Sequence, residues 1–454
     1  MVDLSVPQRV HVVGVGGAGM SAIATVLATM GHRVTGSDLR ASPALERLRA
    51  AGIEVAVGHR AENVGEVDAV TISTAVPATN PEVLAAAERG IPVLRRAEVL
   101  AAISATRRTI AVAGTHGKTT TSSMLALVLV EAGSHPSFIV GGELNEIGTG
   151  ALWDEGEWFV VEADESDGTF LELPTEVAVV TSVEPDHLEH YGGREALVDA
   201  FDRFLAAARV RVVCADDEGA VRLRAAGDAI TYGTAEGATY RMVDVERLRA
   251  STAFAVEHEG RRIAEVRLPV PGLHNARNAC AALVAGVAVG AEPGAAVRAL
   301  ARYAGVARRF QFRGERSGVT FVDDYAHLPT EVAAALGAAA DGAWHRVVCV
   351  FQPHRYSRTA SLWREFADAF TAADVLVVTD VYGAGEAPRP GVTGKLIVDA
   401  VLEAHPEQRL AYLPGRADLV PYLRRILRPG DLCLTLGAGD LTSLPAEFLS
   451  EEAG

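Results

Sequence analysis

A chain of 454 residues is too long for one hydrophobic core, and ordinary domain sizes suggest about three domains. Its 49% hydrophobic and 22% charged residues belong to a folded chain, and no apolar run reaches the roughly 18 residues of a membrane helix. A net charge of −16 argues against a general electrostatic grip on nucleic acid or an anionic membrane. The four scattered cysteines (Cys214, Cys280, Cys349 and Cys433) form no C-x-x-C pair and read as small buried residues in a reducing, cytoplasmic compartment.

Residues 10–13 (V-H-V-V) read as a first strand, and the turn Gly14-Val15-Gly16-Gly17-Ala18-Gly19 follows at once. A helix over 20–30 ends at Gly31, and a second strand from Val34 carries Asp38 at its end. G-x-G-x-x-G between strand and helix, with an acid about 20 residues on, fits a Rossmann-type nucleotide diphosphate site. The same turn also suits mere close packing. The candidate contacts are Gly16, Gly17, Ala18, Gly19, Met20, Ser21 and Asp38. A strand over 69–73 then opens a polar loop (73–81) carrying Ser73 and Thr74, which is either a ligand loop at a strand's carboxyl end or a plain connection.

Residues 109–121 (T-I-A-V-A-G-T-H-G-K-T-T-T) carry the strongest signal. A short apolar strand runs into a glycine turn and then a helix, so backbone N–H groups converge on an anion. The loop is a shortened P-loop, because Val112 stands where the usual spacing has its first glycine. We read Gly114, Thr115, His116, Gly117, Lys118, Thr119 and Thr120 as an ATP phosphate cradle, with the Thr119 hydroxyl on a metal. The helix beyond it should bury one face through Met124, Leu125, Val128 and Leu129. A strand over 158–161 delivers the acids of E-A-D-E-S-D (162–167), of which Glu162, ahead of Asp164, is the expected Mg²⁺ ligand. A strand over 177–182 ends in V-E-P-D-H, placing His187 at the same sheet edge.

His274, Asn275 and Asn278 precede an Ala/Val helix over 279–289. The two amides, three residues apart, suit an adenine edge, although helix capping explains one of them equally well. Residues 305–314, basic and bounded by glycines, read as a linker. Candidate strands over 320–322, 347–351, 375–379 and 432–436 then carry polar loops that include Tyr325, His327, Arg355 and Arg358. The arginines suit a carboxylate or phosphate. Residues 211–265 read as strand-like, variable and uninformative about chemistry.

G-V-G-G-A-G-M-S, A-G-T-H-G-K-T-T-T, E-A-D-E-S-D, E-P-D-H, G-x-H-N-x-x-N, R-R-F-Q, D-D-Y-A-H, F-Q-P-H-R-Y-S-R-T and D-V-Y-x-A-G-E-A-P stand in the order found in the Mur ligases, which the chain resembles from Gly14 to Gly439. The resemblance implies an α/β protein of three domains. These are a Rossmann-like UDP-sugar domain (1–106), a central P-loop ATPase domain with a mainly parallel sheet (107–305) and a Rossmann-like amino-acid domain (306–454). It implies an ATP-dependent ligase joining L-alanine to the lactyl carboxylate of UDP-N-acetylmuramate through an acyl phosphate, with domain closure to exclude water. The alternative is a recycling ligase adding a preformed peptide to the same sugar. In this light Lys118 contacts ATP, and Thr119 and Glu162 hold Mg²⁺ (or Mn²⁺) with His187 near a second ion. His274, Asn275 and Asn278 lie by adenine, and Arg309 and Asp323 reach the nucleotide. Tyr325, His327, Arg355 and Arg358 line the alanine site, with His327 a candidate base. The partners are small molecules, with the chain a monomer or weak homodimer. Leu328 departs from the family run, which has a second histidine there. A dehydrogenase would use residues 14–38 but leaves the P-loop unexplained, and a sensor without turnover is the remaining rival.

Overall fold

β-Branched runs alternate with alanine-rich stretches along nearly the whole chain, and the alternation folds as three largely parallel sheets with helices between strands. The computed structural model describes residues 3–248, 251–306, 308–342 and 344–450, with the backbone alone at Glu189. The chain divides into two compact units, residues 1–243, 255–266 and 277–303, and residues 244–254, 267–276 and 304–454.

In the first unit, β1 (Arg9–Val13), β2 (Arg33–Asp38), β3 (Glu54–Val57), β4 (Ala69–Ile72) and β5 (Val93–Arg95) form a parallel sheet ordered β3-β2-β1-β4-β5. Strand order reverses between β1 and β4, which opens a crevice beyond their carboxyl ends. Beneath it lies a buried charge. Glu82, on the helix Pro81–Glu88, is 0% exposed and accepts from Ser37 Oγ (2.5 Å), Asn63 Nδ2 (2.5 Å) and the Arg60 N–H (3.2 Å). The His59 and His11 rings stand 3.2 and 3.5 Å from the same carboxylate. Burial alone would raise its pKa, but these donors outweigh burial and hold it at about 2. Nothing in the local sequence around Glu82 announces this network.

The second sheet comprises β6 (Arg108–Ala113), β7 (Ser137–Leu144), β8 (Thr149–Leu152), β9 (Trp158–Glu162), β10 (Val177–Val180), β11 (Val210–Cys214), β12 (Ile230–Gly233), β13 (Tyr240–Leu248), β14 (Ser251–His258) and β15 (Arg261–Leu268). Its order is β15-β14-β13-β12-β11-β10-β6-β9-β7-β8. Residues 211–265 are thus mostly strand, interrupted by short helices at Glu218–Val221 and Arg224–Ala226. β6 pairs in parallel with β9 on one side and β10 on the other. The helix Lys118–Glu131 is buried continuously from Thr119 to Leu129, not on one face, because strands β7 and β9 and the helix Pro293–Ala301 pack around it. Phe170 stacks on Phe204 at 5.1 Å and meets Phe201 edge-on at 5.2 Å.

The second unit carries β16 (Gln311–Arg316), β17 (Val319–Asp324), β18 (Arg346–Phe351), β19 (Val375–Val378), β20 (Leu410–Tyr412) and β21 (Asp431–Leu436), ordered β16-β17-β21-β18-β19-β20. The last part of the expected linker is strand β16, antiparallel to β17, while Ala307 lies outside the described residues. Strand β21 inserts between β17 and β18, so the four strands expected to carry polar loops stand side by side. Phe351, Phe366 and Phe370 cluster beneath them. All four cysteines are free and buried, as expected. No helix among the described residues is long and apolar enough to cross a membrane.

Glu82→Gln should destabilise the protein by about 1–3 kcal/mol at pH 7, because a charge-assisted network loses its acceptor. Glu82 has a folded pKa of about 2, below its ordinary value of 4.5. Its contribution is therefore complete above pH 4.5 and is lost as pH falls toward 2. Urea unfolding should show the deficit shrinking between pH 6 and pH 3.5; a deficit that does not change with pH would contradict this account.

Candidate active site

Strand β6 is buried from Thr109 onward, and the chain leaves it through Gly114 to Gly117. Gly117 has φ +79, and a Cβ there would collide with the Asn278 amide, so Asn278 lies directly against the loop. The exit of β10 braces the loop. Thr115 N–H donates to Ser182 O (3.0 Å), Glu184 N–H donates to Thr115 Oγ (2.8 Å), and His116 N–H donates to Ser182 Oγ (2.9 Å). The His116 ring stands 3.2 Å from Glu184. Thr119 and Thr120 open the helix and are buried.

Lys118 Nζ donates to Gly114 O (2.8 Å) and to Glu165 Oε1 (2.8 Å). Glu165 is 2% exposed, and burial first, then the neighbouring Asp164 charge, raises it to about 7 against the opposing pull of Lys118. Burial disfavours the Lys118 charge, but Glu165, Asp164 and Glu162 outweigh it and raise the ammonium above its ordinary range. The Tyr191 hydroxyl donates to the Glu165 carbonyl. Sequence spacing does not separate Glu165 from the acids beside it; only its burial does.

Glu162 ends β9 opposite Val112 of β6 and accepts from the Gly141 N–H at 2.8 Å. Together with Asp164 it lines a cavity of about 570 Å³, whose other wall is Ala18, Gly19 and Ser21 of the first glycine turn and helix. That turn is shaped by Asp38, whose Oδ2 accepts from the Gly16 N–H at 2.9 Å and lies where a Gly16 side chain would begin. Asp38 therefore holds the loop as well as standing at its edge. Gly17 precedes the helix Ala18–Thr29, which buries Met20, and Ser73 and Thr74 begin the loop whose Val76 packs against Gly14. Arg96 and Arg47, which the sequence did not single out, also line the cavity.

His187 lies past β10 as expected, at φ +52, with its ring 3.2 Å from Asp186. No three His, Cys, Asp or Glu side chains among the described residues converge as a cation cage. The helix expected from residue 279 begins at Leu273, so His274, Asn275 and Asn278 fall in its first two turns. Asn275 Nδ2 donates to Pro271 O (2.7 Å), and the His274 ring lies against Gly272. Arg277 is held by Asp216 at 2.7 Å, a pair that the sequence reading missed.

In the second unit, Tyr325 and His327 follow β17 and their rings meet edge-on at 5.4 Å. His327 Nδ1 is 3.1 Å from Tyr325 O, and His354 packs against His327 at 5.6 Å. Arg358 Nη1 donates to His354 Nδ1 (3.1 Å). Burial, then His327, Arg358 and Arg355, push His354 down to about 3, so it is a neutral acceptor. Arg355 has φ +68, and its buried Nε has no hydrogen-bond partner among the described residues. The guanidiniums of Arg308 and Arg309 lie over the Tyr325 ring. Asp323 is 1% exposed and accepts from Thr435 Oγ and Thr442 Oγ, both at 2.6 Å, so its carboxylate is committed internally. Leu328, in place of a histidine, is buried just before the helix Pro329–Ala340.

Three family descriptions match in chain order: "Mur ligase family, catalytic domain" over 9–108, "Mur ligase middle domain" over 112–286 and "Mur ligase, glutamate ligase domain" over 308–439. The chain belongs to the Mur ligase family. Among its relatives, a UDP-N-acetylmuramate–L-alanine ligase of Rubrobacter xylanophilus is 49% identical over 98% of this chain and 100% of its own length. The same-named protein of Saccharopolyspora erythraea is 50% identical over 98% and 93%. Among solved structures, a UDP-N-acetylmuramate–alanine ligase of Thermotoga maritima aligns with TM-score 0.82 and 30% identity, covering 97% of this chain and 98% of that one. The three-domain α/β Mur ligase fold accounts for all three sheets described above.

In this Mur ligase, Lys118→Met strands a buried Glu165 without its counter-ion, at a cost of about 3–5 kcal/mol when the carboxylate is charged. Glu165 already titrates near 7, and without Lys118 its pKa rises further. The loss in melting temperature should therefore be larger at pH 8.5 than at pH 6, where the carboxyl is neutral, and Glu165→Gln in the same chain should remove the difference. Equal losses at both pH values would argue against the pair.

Proposed function

We propose that the chain is an ATP-dependent ligase that joins L-alanine to the lactyl carboxylate of UDP-N-acetylmuramate, releasing ADP and phosphate, in peptidoglycan precursor synthesis. The observation that carries this reading is the shared cavity: one wall is the start of a sugar-nucleotide loop, and the other is the acidic exit of the strand beside the P-loop. Such a cavity brings a carboxylate of the bound sugar to a γ-phosphoryl group. The names of the full-length relatives agree with it. The domain boundaries are placed near residues 106 and 305, close to the breaks between the matched segments. A cytoplasmic site of action suits four buried, reduced cysteines.

A carboxylate is a poor electrophile, so the lactyl group first attacks the γ-phosphate to give an acyl phosphate, and the amine of L-alanine then displaces phosphate. Lys118 neutralises charge on the transferring phosphoryl group, and the loop N–H groups beside it orient the phosphates. Asn278, lying against Gly117, would fix the nucleoside end, with His274 and Asn275 near adenine. The hard oxygen donors Thr119 and Glu162 suit Mg²⁺, which takes one or two carboxylates alongside substrate phosphates and so needs no cage of acids. When bound, Mg²⁺ supplies further charge neutralisation at the phosphoryl oxygens. His187 is assigned to a second ion near the substrate carboxylate.

At the amino-acid end, the Nε of Arg355, without a hydrogen-bond partner among the described residues, and the oriented Arg358 suit the carboxylate of L-alanine. His327, whose Nδ1 lies 3.1 Å from Tyr325 O, is the base assigned to the amine's proton. Asp323 acts through Arg308, 3.6 Å away, and Arg309 beside it is assigned to the nucleotide.

Turnover of UDP-N-acetylmuramate labelled with heavy oxygen in the lactyl carboxylate should place one labelled atom in the released phosphate. Unlabelled phosphate accompanying amide formation would refute the acyl phosphate, and efficient use of a preformed peptide in place of L-alanine would refute the amine assignment. Arg355→Lys should raise the KM for L-alanine by about ten-fold or more while leaving that for ATP within two-fold, since a fork–fork pair is lost. An equal rise in both would remove Arg355 from the alanine site.

A further inference from the structure

Arg96 opens the helix Arg96–Ser104, the end of a helix at which the dipole disfavours a cation. Its neighbour Arg95 is neutralised locally by Glu98 and by Glu172. Arg96 instead reaches across the cavity of about 570 Å³, with Nη2 3.2 Å from Asp167 and 3.6 Å from Asp164. Its Nη1 lies 3.4 Å from where a side chain would start at Gly19, against the glycine-turn helix. The cavity walls also carry Glu143, Glu162 and Asp164, while Arg47 and Arg96 are the cations among the lining residues. A substrate with a diphosphate and a carboxylate entering this acidic space needs a guanidinium.

We propose that Arg96 receives anionic oxygens of the UDP-sugar, and that Asp167, with Asp164, holds it in reserve until the sugar nucleotide displaces them. The inference rests on the ligase reading above. Arg96 is then a specificity residue for the sugar, and its release also frees Asp164 on the phosphoryl side, so sugar occupancy is felt next to the P-loop. Competition fixes the sign of the test. Asp167 Oδ1 accepts from the Thr169 N–H (3.1 Å), a bond an asparagine preserves, so Asp167→Asn removes the competing charge and leaves the loop intact. A merely structural bridge between Arg96 and Asp167 would make that substitution neutral or harmful to sugar binding.

Calorimetric titration of the full chain without ATP measures this directly. Arg96→Gln should weaken UDP-N-acetylmuramate binding by about ten-fold or more, Arg96→Lys less, and Asp167→Asn should tighten it by about three-fold. Titrating UDP-N-acetylglucosamine, which lacks the lactyl carboxylate, assigns the contact: a loss with both sugars places Arg96 on the diphosphate, and a loss confined to UDP-N-acetylmuramate places it on the carboxylate. Binding by Arg96→Gln within two-fold of the parent, or unchanged or weaker binding by Asp167→Asn, overturns the proposal. If Arg96→Gln does not fold, the Asp167→Asn result decides alone. Wild-type phosphate release with UDP-N-acetylmuramate, L-alanine and ATP is run alongside. Its absence would overturn the ligase reading, whereas an active wild type with unresponsive variants overturns only the role of Arg96.

Discussion

Everything at the centre of this molecule depends on the parallel register of β9, β6 and β10. Val112 stands opposite Glu162 and Ala113 opposite Val180, so three loops leave one sheet edge within a residue or two of each other. The P-loop cannot hold its shape alone, because crowded backbone N–H groups repel until an anion arrives. Here the exit of β10 braces it through Thr115 and Ser182, and the exit of β9 supplies Glu165 to Lys118. Burying that ion pair is costly in isolation and is tolerable because the Gly114 carbonyl also solvates the ammonium.

The same edge forms one wall of a cavity shared with the first sheet. Glu162 and Asp164 look into a cavity whose opposite wall is the glycine turn of the first sheet. Asp38 shapes that turn by accepting from Gly16, and the ionised Glu82 ties the end of β2 to the helix after β4. In the second unit, β21 threads between β17 and β18 and lines up the loops that hold Tyr325, His327, His354 and Arg355. The loops of the second unit gather two histidines and two arginines, whereas the exit of β9 gathers carboxylates, of which Glu165 pairs with Lys118 and Asp164 faces Arg96.

Much of this was legible in the residues alone. Strand–turn–helix punctuation marked the glycine turn, the P-loop and the polar strand ends, since glycine and apolar runs act locally. The four cysteines read as buried apolar residues and are so. The motif order along the chain identified the family and, with it, the three-domain plan.

What only the tertiary structure decided are contacts between residues far apart in the chain. Lys118 and Glu165 are 47 positions apart and Ser37 and Glu82 are 45, and no local pattern encodes either pairing. Arg96 looks like an ordinary helix-start arginine until the fold sets it against Asp167, 71 positions on. Asp323 reads as a ligand-facing acid at a strand end, yet β21 and the residues after it enclose it with Thr435 and Thr442. Sequence by itself determined which strands end in glycine turns and polar loops, because turn geometry and hydrophobic period are local. Burial determined which charge in each loop is spent inside the protein, because desolvation depends on what the rest of the chain places around it.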